Sequence, residues 1–259
     1  MTSKMFIEMP PSFPTDRFLE FGLLSSKFFP KFLSIEYETD PLQKRQHSDG
    51  AWRAVAYRYR ACSESNDEFK VLGSGASELS REWGSDEEHN YKLERCVYQF
   101  FVSGLSVFES LAYSLYFFGS VQRPAYFPHV NDPKKVTIEG TSKEFGAAFP
   151  HASLTTGLVA LLQDVDYKQI STMRNILAHR VAGGRSIHVD VRHSDPTFAP
   201  TREEAWSAQG SNDRLIFDDQ LLQRPLSGIT KLLTTLLQAA IDLVRCLPCG
   251  TLEGTSSSV

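Results

Sequence analysis

The chain has 259 residues, 41% hydrophobic and 12% aromatic, which suits one elaborated domain, or a core domain with an N-terminal extension, built on a buried core. Charged residues make up 22% and the net charge is −4, which excludes a protein that binds polyanions over its whole surface; nucleic-acid contact would need a local patch. Four cysteines are too few for a disulfide framework in a chain of this length.

The first fourteen residues hold one Lys, an isolated Phe-Ile pair and three prolines, and lack the continuous apolar run of a signal peptide. With no export signal, the cysteines are expected as reduced thiols in the cytoplasm. Residues 1–80 are expected to be a helical N-terminal extension packed on the core. Phe18–Leu33 is apolar without a clean period and is interrupted by Pro30. Ala51–Cys62 reads as a helix carrying Trp52, Val55, Ala56 and Tyr59; a strand alternating Tyr57 and Tyr59 with Arg58 and Arg60 is the competing reading. That aromatic-basic run fits the exposed face of a partly buried element better than a base-stacking platform. Gly73-Ser-Gly75 is not followed by Gly-Lys-Ser/Thr, so no phosphate-cradling loop is present.

Ser85-Asp-Glu-Glu88 has the form of a capping box opening a long helix. Leu93, Cys96, Val97, Phe100, Phe101, Leu105, Phe108, Leu111 and Leu115 continue it as an i, i+3, i+4 stripe until Gly119 and the proline-bearing stretch that follows. Cys96–Phe118 is apolar enough to suggest a membrane span. Gln99, Ser103, Ser106, Glu109, Ser110 and Ser114 interrupt it at helical spacing, so a core helix and no membrane partner are expected. Glu109 either pairs with an Arg of a later helix or faces water.

A second T-x-x-E box at Thr141–Glu144 opens a short helix to Phe149. After Pro150, Leu154, Leu158, Leu161 and Leu162 mark a helix that resumes or bends through Val165, Ile170, Met173, Ile176, Leu177 and Val181, with Gly183-Gly184 as its cap. The period then changes to two: Ile187, Val189 and Val191 alternate with His188, Asp190 and Arg192. Arg214–Phe217 can pair with this strand across a long polar loop, a small β-ribbon insertion around 187–217. A last helix from Leu226 to Leu247 has Ile229, Leu233, Leu236, Leu237, Ile241 and Val244 on one face and closes at Pro248 and Gly250. Residues 251–259 are expected as a disordered tail. Cys246-Leu-Pro-Cys249 follows a helix instead of opening one, so nothing lowers its thiol pKa, and no second pair exists to complete a zinc site. The pattern is that of a mostly all-α fold.

Chemistry concentrates at Arg174-Asn175-Ile176-Leu177-Ala178-His179. On a helix, Asn175 and His179 are four apart and share a face, while Arg174 lies about 140° round the axis from His179 and must reach around to join them. Between Asp164 and His193 there are five Lys or Arg against three Asp, making Lys168, Arg180 and Arg185 candidate contacts for a polyanion. His179, His188, Asp190 and His193 do not form a metal site by spacing, because His193 falls on the opposite strand face from His188 and Asp190; no metal or cofactor is expected.

This pattern resembles the R-x4-6-H signature of the HEPN superfamily, in the variant with Asn directly after Arg. The resemblance rests on Arg174, Asn175 and His179, on the long helix upstream and on the closing helix, and covers roughly residues 80–250. It implies a HEPN-like helical bundle over residues 81–250 and metal-independent RNA cleavage. His179 would act as general base or acid, Arg174 would hold the scissile phosphate, and Asn175 would orient one or the other. Catalytic members usually pair two motifs across a dimer, so one motif per chain implies a homodimer with a composite site. The setting would be stress response, toxin–antitoxin function or antiviral defence, with a regulatory partner protein. Toxin-type members often carry Tyr after the His; Arg180 stands there, so that role is not carried over. The alternative is a non-catalytic HEPN module for dimerisation, nucleotide or partner binding, in which Arg174 and His179 only cap a helix C-terminus.

Overall fold

Seven α-helices dominate the described part of this computed structural model, which comprises residues 7–29, 40–79, 87–179, 184–190, 201–207, 214–216, 218 and 220–247. Of these, 40–42, 74–79, 179 and the strand residues are described by backbone alone. The helices are α1 (Thr15–Ser26), α2 (Asp40–Leu79), α3 (Glu87–Gln122), α4 (Ile138–Ala148), α5 (Ser153–Gln163), α6 (Val165–His179) and α7 (Gln223–Cys246). The fold is mostly all-α. Extended backbone occurs at β1 (Gly184–Asp190), β2 (Thr201–Ser207) and β3 (Arg214–Ile216), paired antiparallel in the order β1-β2-β3. Arg214–Ile216 therefore pairs with Thr201–Ser207 and not with the 187–191 segment, against the sequence expectation. Strands near in sequence close the smaller loop first, and the nearer partner of β1 is β2.

Packing divides the chain into two units interleaved in sequence. One comprises Met1–Tyr59, Ser106–Asp164 and Thr230–Val259; the other comprises Arg60–Leu105 and Val165–Ile229. In the first unit, aromatic rings dock α1: Phe18 stacks on Trp52 at 4.1 Å between centroids, and Phe21 contacts both Trp52 and Phe118. Polar side chains join the helices where they are buried. Ser48 Oγ donates to the Ser114 carbonyl and Ser114 Oγ to that of Ser48, both at 3.1 Å, a reciprocal clasp between α2 and α3. Tyr59, fully buried, bonds Ser12 Oγ at 3.0 Å and Thr230 Oγ1 at 2.5 Å. Arg123 caps α4 by donating to the Ala148 carbonyl and covers the Phe149 ring at 4.8 Å.

Helix α4 starts one turn before the expected box. Thr137 is its cap, with extended backbone and Oγ1 accepting from the Gly140 N–H at 3.0 Å. Thr141 is instead buried inside the helix, so its side chain serves packing and not the first turn. Ser85 and Asp86, the Gly183 cap, and residues 248–259 lie outside the described residues; Gly184 opens β1.

In the second unit, four helices meet at Gly104 of α3. A Cβ there would lie 3.0 Å from Ile229 Cδ1, 3.6 Å from Ile170 Cγ2 and 3.7 Å from Cys62 Sγ. The missing side chain thus lets α6 and α7 close on α3. Nearby, Lys70 and Asn66 of α2 both donate to Gln223 Oε1 of α7, and Arg95 pairs with Glu68.

By length and composition α3 and α7 could each cross a membrane, with mean hydropathy of 1.3 and 1.2 over their most apolar windows, of which 67% and 56% is buried within the protein. The core helix of a globular protein meets the same criterion, and nearly every residue from Leu111 to Ser120 is buried against protein neighbours.

Two features of the first unit have measurable consequences. At Gly119 a Cβ would lie 2.8 and 2.9 Å from Phe127 Cε1 and Cε2, and closer still to Cζ. Glycine-to-alanine exchange in a helix ordinarily gains up to ~1 kcal/mol. Here overpacking reverses the sign: Gly119→Ala is expected to lose about 1–3 kcal/mol in urea denaturation. On α4, burial raises the Glu144 carboxyl above its ordinary 4.5, against the opposing pull of His129 and Lys143, and among the described residues its Oε2 is buried without a partner. The folded state therefore holds the Glu144 proton more tightly than the unfolded chain does. This contribution to stability is fullest below pH 4.5 and disappears as pH rises through the folded value. Glu144→Gln is expected to raise the Tm at neutral pH, with the gap to wild type closing in melts below pH 4.5.

Candidate functional site

Helix α6 begins after Asp164, whose extended backbone separates it from α5. Tyr167, Ile170 and Met173 are buried, while Ile176 and Leu177 are half-buried and Val181 lies outside the described residues. The apolar face expected from the sequence is therefore packed over the first half of the helix and thins toward its C-terminal end. The Arg174–His179 segment lies on that emerging end.

Arg174 is half-buried and Asn175 exposed, and Arg174 Nη1 donates to Asn175 Oδ1 at 3.1 Å. A guanidinium can only donate, so the bond also fixes which end of the amide faces it: oxygen toward Arg174, Nδ2 away. His179 is the last residue of α6, described by backbone alone, one helical turn beyond Asn175. Lys168 is exposed and precedes Asn175 by two turns, so at ~100° per residue the two share a stripe that continues to His179. Thr172, exposed, falls on the same stripe; the sequence reading passed over it, though its i+4 spacing from Lys168 was there to be seen. Arg185 is the second residue of β1, in register with Trp206. Arg180 lies outside the described residues. The electrostatics are mixed: helix carbonyls make the C-terminal end of α6 partly negative, and Arg174 offsets this where an anion would approach.

Other candidates resolve more simply. Glu109 is exposed and accepts from Ser106 Oγ at 3.1 Å, so of its two expected settings it takes the one facing water. The Tyr57–Arg60 run lies on a helix and diverges: Tyr59 is buried, Tyr57 is 54% exposed, and Arg60 pairs with Glu64. No adjacent pair there forms a stacking platform. Among the described residues no three His, Cys, Asp or Glu are grouped to hold a metal; His188 and Asp190 are described by backbone alone and His193 lies outside.

The cysteines divide by environment. Burial pushes the Cys62 thiol far up, and its Sγ donates to the Phe100 carbonyl. Burial, then the Glu68 carboxylate, pushes Cys96 up to about 11. Cys246 is exposed at the end of α7, and Cys249 lies outside the described residues. No family model, no curated protein and no solved structure matches the chain. Brief treatment with iodoacetamide at pH 8 should alkylate Cys246 in the native protein and leave Cys62 and Cys96 unmodified until denaturant is added, as read by peptide mass spectrometry. Native labelling of Cys96 would contradict its raised pKa.

Proposed function

We propose that the exposed end of α6 contacts RNA and that the chain is a HEPN-like, metal-independent endoribonuclease acting as a homodimer. The observation that carries this reading is the Arg174–Asn175 hydrogen bond on the emerging turn of a helix anchored by buried Ile170 and Met173. A buried anchor keeps the turn in place, and the bonded pair offers guanidinium and amide N–H groups side by side to phosphate oxygens. Arg174 holds the scissile phosphate and offsets the charge that builds on its oxygens during displacement. Asn175 steadies the guanidinium and adds its own donors. His179 takes the proton of a ribose 2′-hydroxyl or returns one to the leaving 5′-oxygen. Lys168, Arg180 and Arg185 extend the contact along the RNA backbone.

A single in-line displacement needs both a base and an acid, and each chain carries one such His in the motif. A second copy supplies the other, which is why the homodimer belongs to the proposal. Cytoplasmic location without membrane attachment, a regulatory partner protein, and a setting in stress response, toxin–antitoxin function or antiviral defence belong to it as well. A second reading has its own support: Arg174 sits in the last turns of α6, where any cation meets the negative end of the helix. On that reading the chain is a non-catalytic HEPN module for dimerisation, nucleotide or partner binding.

Purified chain incubated with total RNA and a chelator is expected to cleave it, and Arg174→Ala and His179→Ala to lose at least ~100-fold of that activity. Light scattering is expected to give twice the chain mass. Wild type and both variants equally inert, or equally active, would remove the nuclease reading and leave the non-catalytic module.

A further inference from the structure

A depression of about 440 Å³ opens between α2 and α3 in the first unit, and none of the motif residues lines it. Its floor is made of small residues, Gly50, Ala51 and Ala54, and a Cβ built on Gly50 meets nothing within 4 Å. Its walls carry His47 and Arg58 from α2 and Glu109, Ser110 and Tyr113 from α3.

These polar groups are held in place by contacts behind them. The His47 ring stacks on Phe117 at 4.7 Å and 18°, and its Nδ1 lies 3.0 Å from the Tyr113 hydroxyl. This bond can run either way round; a hydroxyl that donates to Nδ1 goes with the Nε2–H form of the ring. That form leaves Nε2–H as a donor. Arg58 is tethered through Nε to Ser110 Oγ at 3.2 Å, and the tether leaves both Nη groups as donors. Glu109 accepts from Ser106 through one oxygen and adds an acceptor to the same wall. An imidazole N–H and a guanidinium suit a phosphate, which a fork of N–H donors binds with two parallel bonds. A carboxylate beside them would repel a bare anion and favour one that brings hydroxyl donors of its own.

We propose that this depression binds a small hydroxylated phosphomonoester, with Arg58 and His47 on the phosphate and Glu109 on the hydroxyls. The volume falls within the usual range for small-molecule sites. Phosphate recognition here uses preset donors, which lowers the ordering cost of binding. Neither Arg174 nor His179 is among its lining residues.

The test is calorimetric titration of the full-length chain with ribose 5-phosphate, inorganic phosphate and ribose. Ribose 5-phosphate is expected to bind, inorganic phosphate more weakly, and ribose not at all. Arg58→Gln, which removes the charge, and Gly50→Leu, which fills the floor, are each expected to weaken binding about tenfold or more while leaving circular dichroism and Tm at or above wild type. Glu109→Gln should narrow the gap between ribose 5-phosphate and inorganic phosphate. Absence of binding by either phosphate probe at millimolar concentration overturns the proposal, as does binding that Arg58→Gln and Gly50→Leu leave unchanged. Equal wild-type affinity for the two phosphate probes overturns the hydroxylated class.

Discussion

The close approach at Gly104 is the constraint on which the second unit depends. Ile170, Ile229 and Cys62 come from three different helices and converge on the one position of α3 that has no side chain to exclude them. Interiors are packed to crystal density, so a vacancy of one methyl group fixes how closely neighbouring helices can approach. Ile170 is also the residue by which α6 is seated, so the direction in which the Arg174–Asn175 turn emerges is set from inside the core. The same convergence buries Cys62 and takes its thiol out of chemistry.

The first unit is held in a different manner. Apolar contact alone tolerates sliding of one helix along another, because one methyl group substitutes for the next. Paired hydroxyls do not tolerate it, since a slip would strand buried polar groups. The Ser48–Ser114 clasp and the two bonds of Tyr59 therefore act as register marks between α2, α3 and the residues around Ser12 and Thr230. Aromatic stacking of Phe18 on Trp52 supplies area, and the hydroxyl pairs supply position.

Much of the helical framework was legible because α3 and α7 bury stripes that repeat every three to four residues. Their predicted limits fall within a few residues of those observed. The break after α5 was only half visible: the sequence left open whether the helix resumes or bends, and extended backbone at Asp164 ends α5. Helix α2 was only partly visible, because its forty residues are largely polar and its buried stripe mixes Ser48, Ser63 and Asn66 with Val55, Tyr59, Cys62 and Phe69. The start of α4 was misplaced because Thr137 and Thr141 are equivalent as letters; only burial of the second tells the cap from the core. At the candidate site, the order Arg174, Asn175, His179 was plain in the sequence. The Arg174–Asn175 bond was not, since neighbours on a helix point about 100° apart and only the length of Arg bridges them. The α2–α3 depression left no sequence signal beyond three small residues, because its walls come from helices separated by some fifty positions.

The Arg174–Asn175 bond has one further consequence. Once Asn175 turns its oxygen to the guanidinium, the outward groups of the pair are N–H donors. Bases differ from one another in how donors and acceptors alternate along their edges, whereas phosphates present only acceptors. A surface of donors matches phosphate oxygens and, among base edges, those that set acceptors side by side. If the turn meets RNA as proposed, the same bond would disfavour base edges that offer donors, a preference set by the orientation of one amide.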